Sequence, residues 1–198
     1  MRVLAFSDLH CDRAAAVELV ERSGDADLVI GAGDFASQHS GLSETIDALA
    51  AIETPTILVP GNNETEEALR AASAGWSAAR VLHGEGVEID GVEFYGLGAG
   101  IPTTPWDWSF DLTEEEAGER LDACPNGGVL VVHSPPLGHC DSSSAGDHLG
   151  SSSIAATIAD RKPRLAVCGH IHEAWGERAR IGATEVANLG PDGAVFEL

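Results

Sequence analysis

Basic side chains are scarce in this sequence, and their scarcity restricts the partners that the protein can bind. Lysine and arginine together number 11 against 32 aspartates and glutamates, and Lys162 is the only lysine. The formal net charge of −21 disfavours a nucleic acid polymer or an anionic membrane as a partner. Because salt screens self-repulsion of this size, the composition is typical of halophilic proteins, with an ordinary acidic protein as the alternative.

Paired cysteines and long apolar runs are also missing. None of the four cysteines belongs to a Cys-x-x-Cys pair, so neither a thiolate zinc site nor a thioredoxin-like site is indicated. No stretch approaches the roughly 18 apolar residues of a membrane-spanning helix, and the apolar start of the chain is too short for a secretory signal. The sequence therefore predicts a cytoplasmic protein that has no disulfide framework and no membrane partner.

Apolar runs and helical patterns alternate along the first third of the chain. Strands are predicted at residues 2–7, 27–32 and 55–59, and helices at residues 13–22, 43–52 and 65–74. Such strand–helix repeats indicate a parallel β-sheet with helices on its faces.

Short strands become frequent in the rest of the chain. They are predicted at residues 80–82, 86–89, 92–97, 128–132, 164–168, 176–181, 184–187 and 194–198. Helices are predicted at 112–124 and 151–160, and they follow long loops at 98–111 and 134–150. This pattern predicts one α/β domain over residues 1–198, with two packed mixed β-sheets flanked by helices.

Seven candidate metal ligands stand just after five of the predicted strands. They are Asp8 and His10, Asp34, Asn62, His133, and His170 with His172. Because the functional crevice of an open α/β sheet lies beyond the carboxyl ends of its strands, we expect these side chains to converge. Glycines precede Asp34, Asn62 and His170, as tight turns close to a site require.

The residue types of this set point to one kind of metal chemistry. Imidazole, carboxylate and amide ligands suit borderline divalent metals, so we expect Mn, with Fe, Ni, Co or Zn as alternatives. Seven ligands are too many for one tetrahedral zinc ion, but they suffice for two ions if one carboxylate bridges them. Two ions about 3.5–4 Å apart form the usual clamp for in-line phosphoryl transfer.

The candidate ligands lie in five short motifs. In chain order these are Asp8-Leu9-His10, Gly33-Asp34, Gly61-Asn62-Asn63-Glu64, His133, and Gly169-His170-Ile171-His172. In type, order and spacing they resemble the signature of the calcineurin-like metallophosphoesterases, over most of the chain. Smaller details resemble a compact prokaryotic branch of predicted phosphoesterases, which the composition would make haloarchaeal. The resemblance implies a four-layer α/β/β/α sandwich.

The resemblance also implies a role for each ligand. The first metal ion would be held by Asp8, His10 and His172. The second would be held by Asn62, His133 and His170, and Asp34 would bridge the two ions. The implied activity is hydrolysis of a small phosphate ester, a diester rather than a monoester, by attack of a metal-bridging hydroxide.

One position departs from the family pattern. Asn63 stands where most members have a histidine that contacts the phosphate and protonates the leaving group. Asparagine can donate a hydrogen bond to the substrate, but it cannot supply a proton near neutral pH. We therefore expect Asn63 at the phosphate, and we take His148 and His139 in the loop at 134–150 as candidates for a replacement acid or a substrate contact.

Two other functions stay open at this point. A non-catalytic scaffold of the same fold would explain the missing histidine, although a pure scaffold need not keep seven ligands. A metal-dependent nuclease would need a basic groove, which 11 basic residues hardly supply. The substrate is left open, and so is the oligomeric state, a homo-oligomer included.

A few further residues carry weaker expectations. Trp106 and Trp108 could form a wall of a substrate pocket or simply anchor their loop on the core. Asn188 is expected to tie a turn near the site. His39 and His83 have no motif around them, so solvated loop positions are expected for both.

Overall fold

The computed structural model describes residues 1–198 and contains eleven β-strands and five α-helices. The strands are β1 Arg2–Phe6, β2 Leu28–Gly31, β3 Thr56–Leu58, β4 Ala79–Val81, β5 Glu85–Ile89, β6 Val92–Leu97, β7 Val129–Val132, β8 Leu165–Cys168, β9 Arg178–Ile181, β10 Thr184–Asn188 and β11 Ala194–Glu197. The helices are α1 Arg13–Ser23, α2 Leu42–Leu49, α3 Glu66–Ser73, α4 Glu114–Leu121 and α5 Ser152–Arg161, with a short 3₁₀ helix at His172–Ala174.

The strands form two mixed sheets, as the sequence pattern predicts. The first sheet has the order β11-β1-β2-β3-β4, in which β1 to β4 are parallel and β11 is antiparallel to β1. The second has the order β5-β6-β7-β8-β10-β9, with parallel central strands and antiparallel strands at both edges. The parallel strands of each sheet therefore deliver their carboxyl ends to one rim of that sheet.

Alternation along each strand separates two kinds of core. In β1, Val3 and Ala5 belong to an apolar cluster shared by the two sheets, whereas Leu4 and Phe6 belong to a cluster with the first three helices. A third cluster joins the outer face of the second sheet to α4 and α5. Because alternate side chains of a strand point to opposite faces of its sheet, each sheet packs on the other sheet with one face and on helices with the other. The resulting layers are helix, sheet, sheet, helix.

Polar side chains cap the N-terminal ends of four of the five α-helices. The Asp12 side chain accepts hydrogen bonds from the first turn of α1, and Thr65 and Ser151 do the same for α3 and α5. Thr113 and Glu116 form a capping box, so α4 begins at Glu114 rather than at the predicted residue 112. None of these helices has the length and apolar composition needed to cross a bilayer.

One expectation about a loop histidine was wrong. His83 is only 6% exposed, because its ring packs against Phe110 under the loop that follows β6. The Gly98 amide donates to Nδ1 of His83 at 3.1 Å, and Nε2 has no hydrogen-bond partner. Burial, with the charge of Arg120, lowers the pKa of His83 to about 4.

Candidate metal centre

The structure brings all seven candidate ligands to one place, between the rims of the two sheets. Asp8 and His10 follow β1, Asp34 follows β2 and Asn62 follows β3, all from the first sheet. His133 follows β7, while His170 and His172 follow β8, and these come from the second sheet. The site is therefore assembled from both sheets.

The ligand atoms fall into two groups that share one carboxylate. The first group is Asp8, His10, Asp34 and His172, and the second is Asp34, His133 and His170. Within each group, the ligand atoms lie within 4.8 Å of one another. Asp34 is the only member of both groups, which is the position that a bridging ligand occupies.

The amide oxygen of Asn62 adds to the second group. Its Oδ1 lies 3.3 Å from Nε2 of His133 and 3.1 Å from Nδ1 of His170. The amide nitrogen of Asn62 donates to the Ser109 hydroxyl at 2.8 Å, and this hydroxyl donates to Asp111 at 2.6 Å. Because the nitrogen is engaged on that side, the oxygen of Asn62 faces the two histidines.

The backbone at these strand ends is strained. Asp8, His10, Asp34 and His170 all have left-handed conformations, with φ of 55°, 44°, 59° and 69°. Such conformations cost about 1–3 kcal/mol each, so other interactions must hold them in place. Here the amides of Asp8 and His10 donate to the carbonyls of Gly33 and Asp34, both at 2.9 Å, which ties the first two strand ends together.

Two glycines allow the close approach of these strand ends. A Cβ atom at Gly61 would lie 2.0 Å from Oδ1 of Asp34, and one at Gly169 would lie 2.3 Å from Oδ2 of Asp8. Both distances are far shorter than a van der Waals contact. Any side chain at either position would displace a carboxylate of the site.

Several hydrogen bonds orient Asp8. Its Oδ2 accepts from the indole Nε1 of Trp175 at 3.2 Å and from the Ser7 hydroxyl, and its Oδ1 accepts from the His170 amide at 3.0 Å. Neither Ser7 nor Trp175 was identified from the sequence. Trp175 could not be linked to Asp8 from local sequence, because the two residues lie 167 positions apart along the chain.

Glu64 braces the turns that carry Asp34 and Asn62. It is almost completely buried, and it accepts hydrogen bonds from the amides of Asp34, Ala36 and Gly61 at 2.9, 3.0 and 2.7 Å. Burial, together with the charge of Asp34, raises the pKa of Glu64 to about 7. The sequence motif contains Glu64 without showing this structural role.

The tautomer of His133 is set by the protein backbone. Its Nδ1 lies 2.8 Å from the carbonyl oxygen of Ala32, so Nδ1 carries a proton and Nε2 faces Oδ1 of Asp34 at 3.4 Å. Burial by itself lowers the pKa of His133, but the charge of Asp34 outweighs it and raises the pKa to about 9. A metal ion bound here would have to displace that second proton.

The buried carboxylates have no permanent positive charge beside them. Their ion-pair partners are histidines alone, namely His10, His133 and His172. Burial raises the pKa of Asp8, whereas for Asp34 the histidine charges outweigh burial and lower the pKa. Buried carboxylates need a compensating cation, so the donor set fits divalent metal ions.

Asn63 lies beside the candidate ligands, and its side-chain amide is held by hydrogen bonds within the protein. Its Nδ2 donates to Oδ2 of Asp34 at 2.7 Å, and its Oδ1 accepts from the Gln38 amide at 2.8 Å. The residue lines the cavity beside the ligands but is only 6% exposed. Its amide therefore holds the shared carboxylate of Asp34.

The structure does not bring His148 or His139 to the ligands. The side chain of His148 is 53% exposed, and its Nδ1 lies 2.7 Å from the buried carboxylate of Asp141. His139 is half-buried on the same loop. Neither residue is among those that line the cavity at the ligand cluster.

A cavity of about 600 Å³ opens beside the two ligand groups. The loop after β6 forms one side of it, and both Trp106 and Trp108 line this side. Asn188 supports the opposite side, because its Nδ2 donates to the carbonyls of Cys140, Gly169 and Ile171, each at 3.1 Å. His39 is exposed, and its Nε2 contacts the carbonyl oxygen of Trp108.

Nearly the whole chain matches a known family of proteins. The calcineurin-like phosphoesterase superfamily domain matches residues 1–196. The chain belongs to this superfamily. The carboxylates and imidazoles described above are accordingly the candidate metal ligands of a calcineurin-like phosphoesterase domain.

Individual relatives of this phosphoesterase domain support the assignment. Metallophosphoesterase domain-containing protein 1 of Homo sapiens is 35% identical over 108 residues, which cover 52% of this chain and 32% of the human protein. UPF0046 protein T07D4.2 of Caenorhabditis elegans is 33% identical over 108 residues, covering 50% of this chain and 26% of that protein. The match spans about a third or less of these curated relatives.

A solved structure shares the fold over nearly the whole domain. The crystal structure of TT1561 of Thermus thermophilus superimposes with a TM-score of 0.78 at 19% identity, over 96% of this chain and 90% of that one. The similarity confirms the two-sheet architecture expected from the sequence.

Proposed function

We propose that this phosphoesterase domain binds two divalent metal ions and hydrolyses phosphate esters, phosphodiesters in preference to monoesters. The observation that carries the proposal is the position of Asp34, whose carboxylate belongs to both groups of ligand atoms. When bound, two divalent ions would lower the pKa of a water molecule and neutralise charge on the phosphate oxygens.

The chain's own residues supply the arrangement around those ions. His133 is held by the Ala32 carbonyl and Asn62 by Ser109, so each presents a fixed ligand atom. Asp34 is held by the Asn63 amide, which keeps the shared carboxylate between the two groups. Ligand side chains that are oriented by such hydrogen bonds bind metal ions more tightly and keep them in the geometry that catalysis needs.

The choice of an ester with an acidic leaving group follows from what the cavity lacks. Asn63 cannot donate a proton near neutral pH, and its amide is already bonded to Asp34. Glu173 also lines the cavity, but its side chain is exposed to solvent. Esters with acidic leaving groups depart without a proton, so activated diesters are the expected substrates for an assay.

The first experiment combines metal content with turnover. Protein purified without a tag is loaded with Mn²⁺, its metal content is measured by plasma mass spectrometry, and bis(p-nitrophenyl) phosphate is the substrate in high salt. We expect about two ions per chain and release of p-nitrophenolate. The Asp34→Asn variant should lose metal from both groups and lower turnover by about a thousandfold or more.

The matched control for this variant is Asp47→Asn, which changes an exposed aspartate on α2. It should keep the metal content and turnover of the parent protein. Retention of both ions and of activity by Asp34→Asn would contradict the proposal. Loaded protein that turns over no ester would favour the alternative, a scaffold of the same fold, which the absence of an acid at Asn63 leaves open.

A further inference from the structure

The cavity beside the ligand groups contains no lysine or arginine. The charged groups on its surface, apart from the imidazoles of the ligand cluster, are the carboxylates of Asp34 and Glu173. Positive charge is thus available only where the metal ions would bind. A substrate with a second anionic group would have to place that group where nothing neutralises it, within a protein of net charge −21.

The charge at the ligand cluster itself suits a single anionic group. Two divalent ions would carry four positive charges, of which Asp8 and Asp34 neutralise two. An ionised water molecule between them would neutralise one more. One positive charge remains, and it matches the single negative charge of a phosphodiester.

Two stacked indoles form the apolar side of the cavity. The rings of Trp106 and Trp108 are nearly parallel, with an interplanar angle of 9° and centroids 5.5 Å apart. Trp106 is 50% exposed, although an indole that only anchored a loop would be expected to insert into the core. An exposed ring that lines a cavity is a surface on which a planar group can stack.

Hydrogen bonds tie the loop that carries the two indoles to the ligand cluster. The Phe110 amide donates to the carbonyl of Asn62 at 2.9 Å, so the loop is bonded to a residue that contributes a ligand atom. Asp111 accepts from both the amide and the hydroxyl of Thr104, at 2.7 and 2.8 Å, which closes the loop on itself. These hydrogen bonds place the loop that carries the indoles next to the ligand cluster.

From the charge of the cavity and from its exposed indole, we infer the class of substrate that the cavity accepts. It is a phosphodiester with one negative charge, whose uncharged planar organic group stacks on the indole of Trp106, whereas esters with additional anionic groups are rejected. The inference rests on the proposed phosphoesterase function and specifies the substrate of that same site.

The test uses ligands that bind but cannot be hydrolysed. Methyl(phenyl)phosphinate and methyl(cyclohexyl)phosphinate have one negative charge each and similar size, and only the first has a planar ring. Calorimetric titration of the Mn²⁺-loaded protein should show about three- to tenfold tighter binding of the phenyl compound. Trp106→Leu should abolish this difference, while Trp106→Phe should keep part of it.

A third ligand tests the charge requirement. Methyl(4-carboxyphenyl)phosphinate adds one negative charge to the same ring, and we expect it to bind about tenfold more weakly than the phenyl compound. The Thr103→Arg variant places a cation on the cavity wall and should recover most of that loss. Val17→Ala, which changes an exposed apolar residue of α1 outside the cavity, is the control and should leave all three affinities unchanged.

The outcomes separate this inference from the proposed function. Equal affinity for the phenyl and cyclohexyl compounds, or undiminished affinity for the carboxyphenyl compound, would overturn the inference and leave the phosphoesterase function standing. If the metal-loaded protein hydrolyses bis(p-nitrophenyl) phosphate but binds none of the phosphinates, the inference alone fails. If it neither hydrolyses that ester nor binds any phosphinate, the proposed function fails and the inference fails with it.

Discussion

The two ligand groups that share Asp34 differ in how deeply they lie in the protein. His10 and His172 of the first group have side chains that are 27% and 47% exposed, whereas the side chain of His133 in the second group is fully buried. The second group is also tied to the backbone, through the bond from His133 to the Ala32 carbonyl. The comparison shows that His133 is part of the core, while His10 and His172 stand at the open edge of the site.

Burial has a consequence for stability as well as for binding. Removing one partner from a buried pair leaves the other group charged and without compensation, whereas an exposed side chain can be replaced by water. The two groups should therefore respond differently to the same kind of substitution. The following predictions test this difference, in order of decreasing effect.

The largest effect is expected from matched histidine substitutions in the two groups. In metal-free protein, His133→Ala leaves the buried Asp34 without its strongest cationic neighbour and should lower the free energy of unfolding by about 3 kcal/mol. His172→Ala removes a half-exposed ring and should change it by about 0.5 kcal/mol or less. Urea unfolding in the presence of a chelator measures both, and equal destabilisation by the two variants would contradict the comparison.

A buried histidine away from the site extends the comparison to pH. His83 has a pKa of about 4 in the folded protein, against about 6.5 when unfolded, so the unfolded chain binds the extra proton first. This contribution to stability is fully present above pH 6.5 and is lost as the pH falls towards 4. The free energy of unfolding should therefore be about 2 kcal/mol lower at pH 5 than at pH 8 because of His83.

The measurement for His83 is urea unfolding at several pH values, with His83→Phe as the comparison. The variant should show a smaller loss of stability between pH 6.5 and pH 4 than the parent protein. Identical pH profiles for the two proteins would show that His83 is not buried in its neutral form.

A smaller effect is expected at the hydrogen bond from Trp175 to Asp8. Trp175→Phe keeps an aromatic ring beside His172 but removes the indole donor, so Asp8 is oriented less firmly. Affinity for one of two Mn²⁺ ions should fall by about tenfold, while that for the other stays unchanged. Calorimetric titration with Mn²⁺ resolves the two events, and an equal loss at both would mean that Trp175 does not act through the first group.

The smallest effect is expected far from both groups. Thr113→Ala removes the capping box of α4 and should lower the free energy of unfolding by about 1 kcal/mol. Metal binding should not change, since α4 lies on the outer face of the second sheet. A change in Mn²⁺ affinity would show that the site depends on global stability rather than on its own bonds.

Much of the fold could be predicted because local patterns and tertiary packing agree. The apolar run that begins at Arg2 and the strand–helix repeats predict a parallel sheet, and the strand bounds agree with prediction to within about two residues. Helix starts were less accurate where a polar side chain capped the helix later than predicted, as Thr113 does at α4. Such caps depend on side-chain geometry that periodicity does not contain.

The candidate site was predictable in its ligands but not in their supports. Asp34 and His133 stand directly after apolar runs, so their convergence follows from strand order. The partners of Asp8 and Asn62 could not be found this way, because Trp175 and Ser109 reach them only after distant loops fold back. The same reason explains why His148 was expected at the site, although its loop bonds it to Asp141.

The amino-acid sequence by itself determined the two sheets, the strand ends that carry the ligands and the chemical types of those ligands. These features follow from periodicity and from glycines next to polar residues, which act over a few positions. Only the tertiary structure decided that Asn63 holds Asp34, that Trp106 lines the cavity and that His133 is buried while His172 is exposed. Each of these depends on contacts between segments far apart in the chain, and such contacts exist only once both sheets have packed.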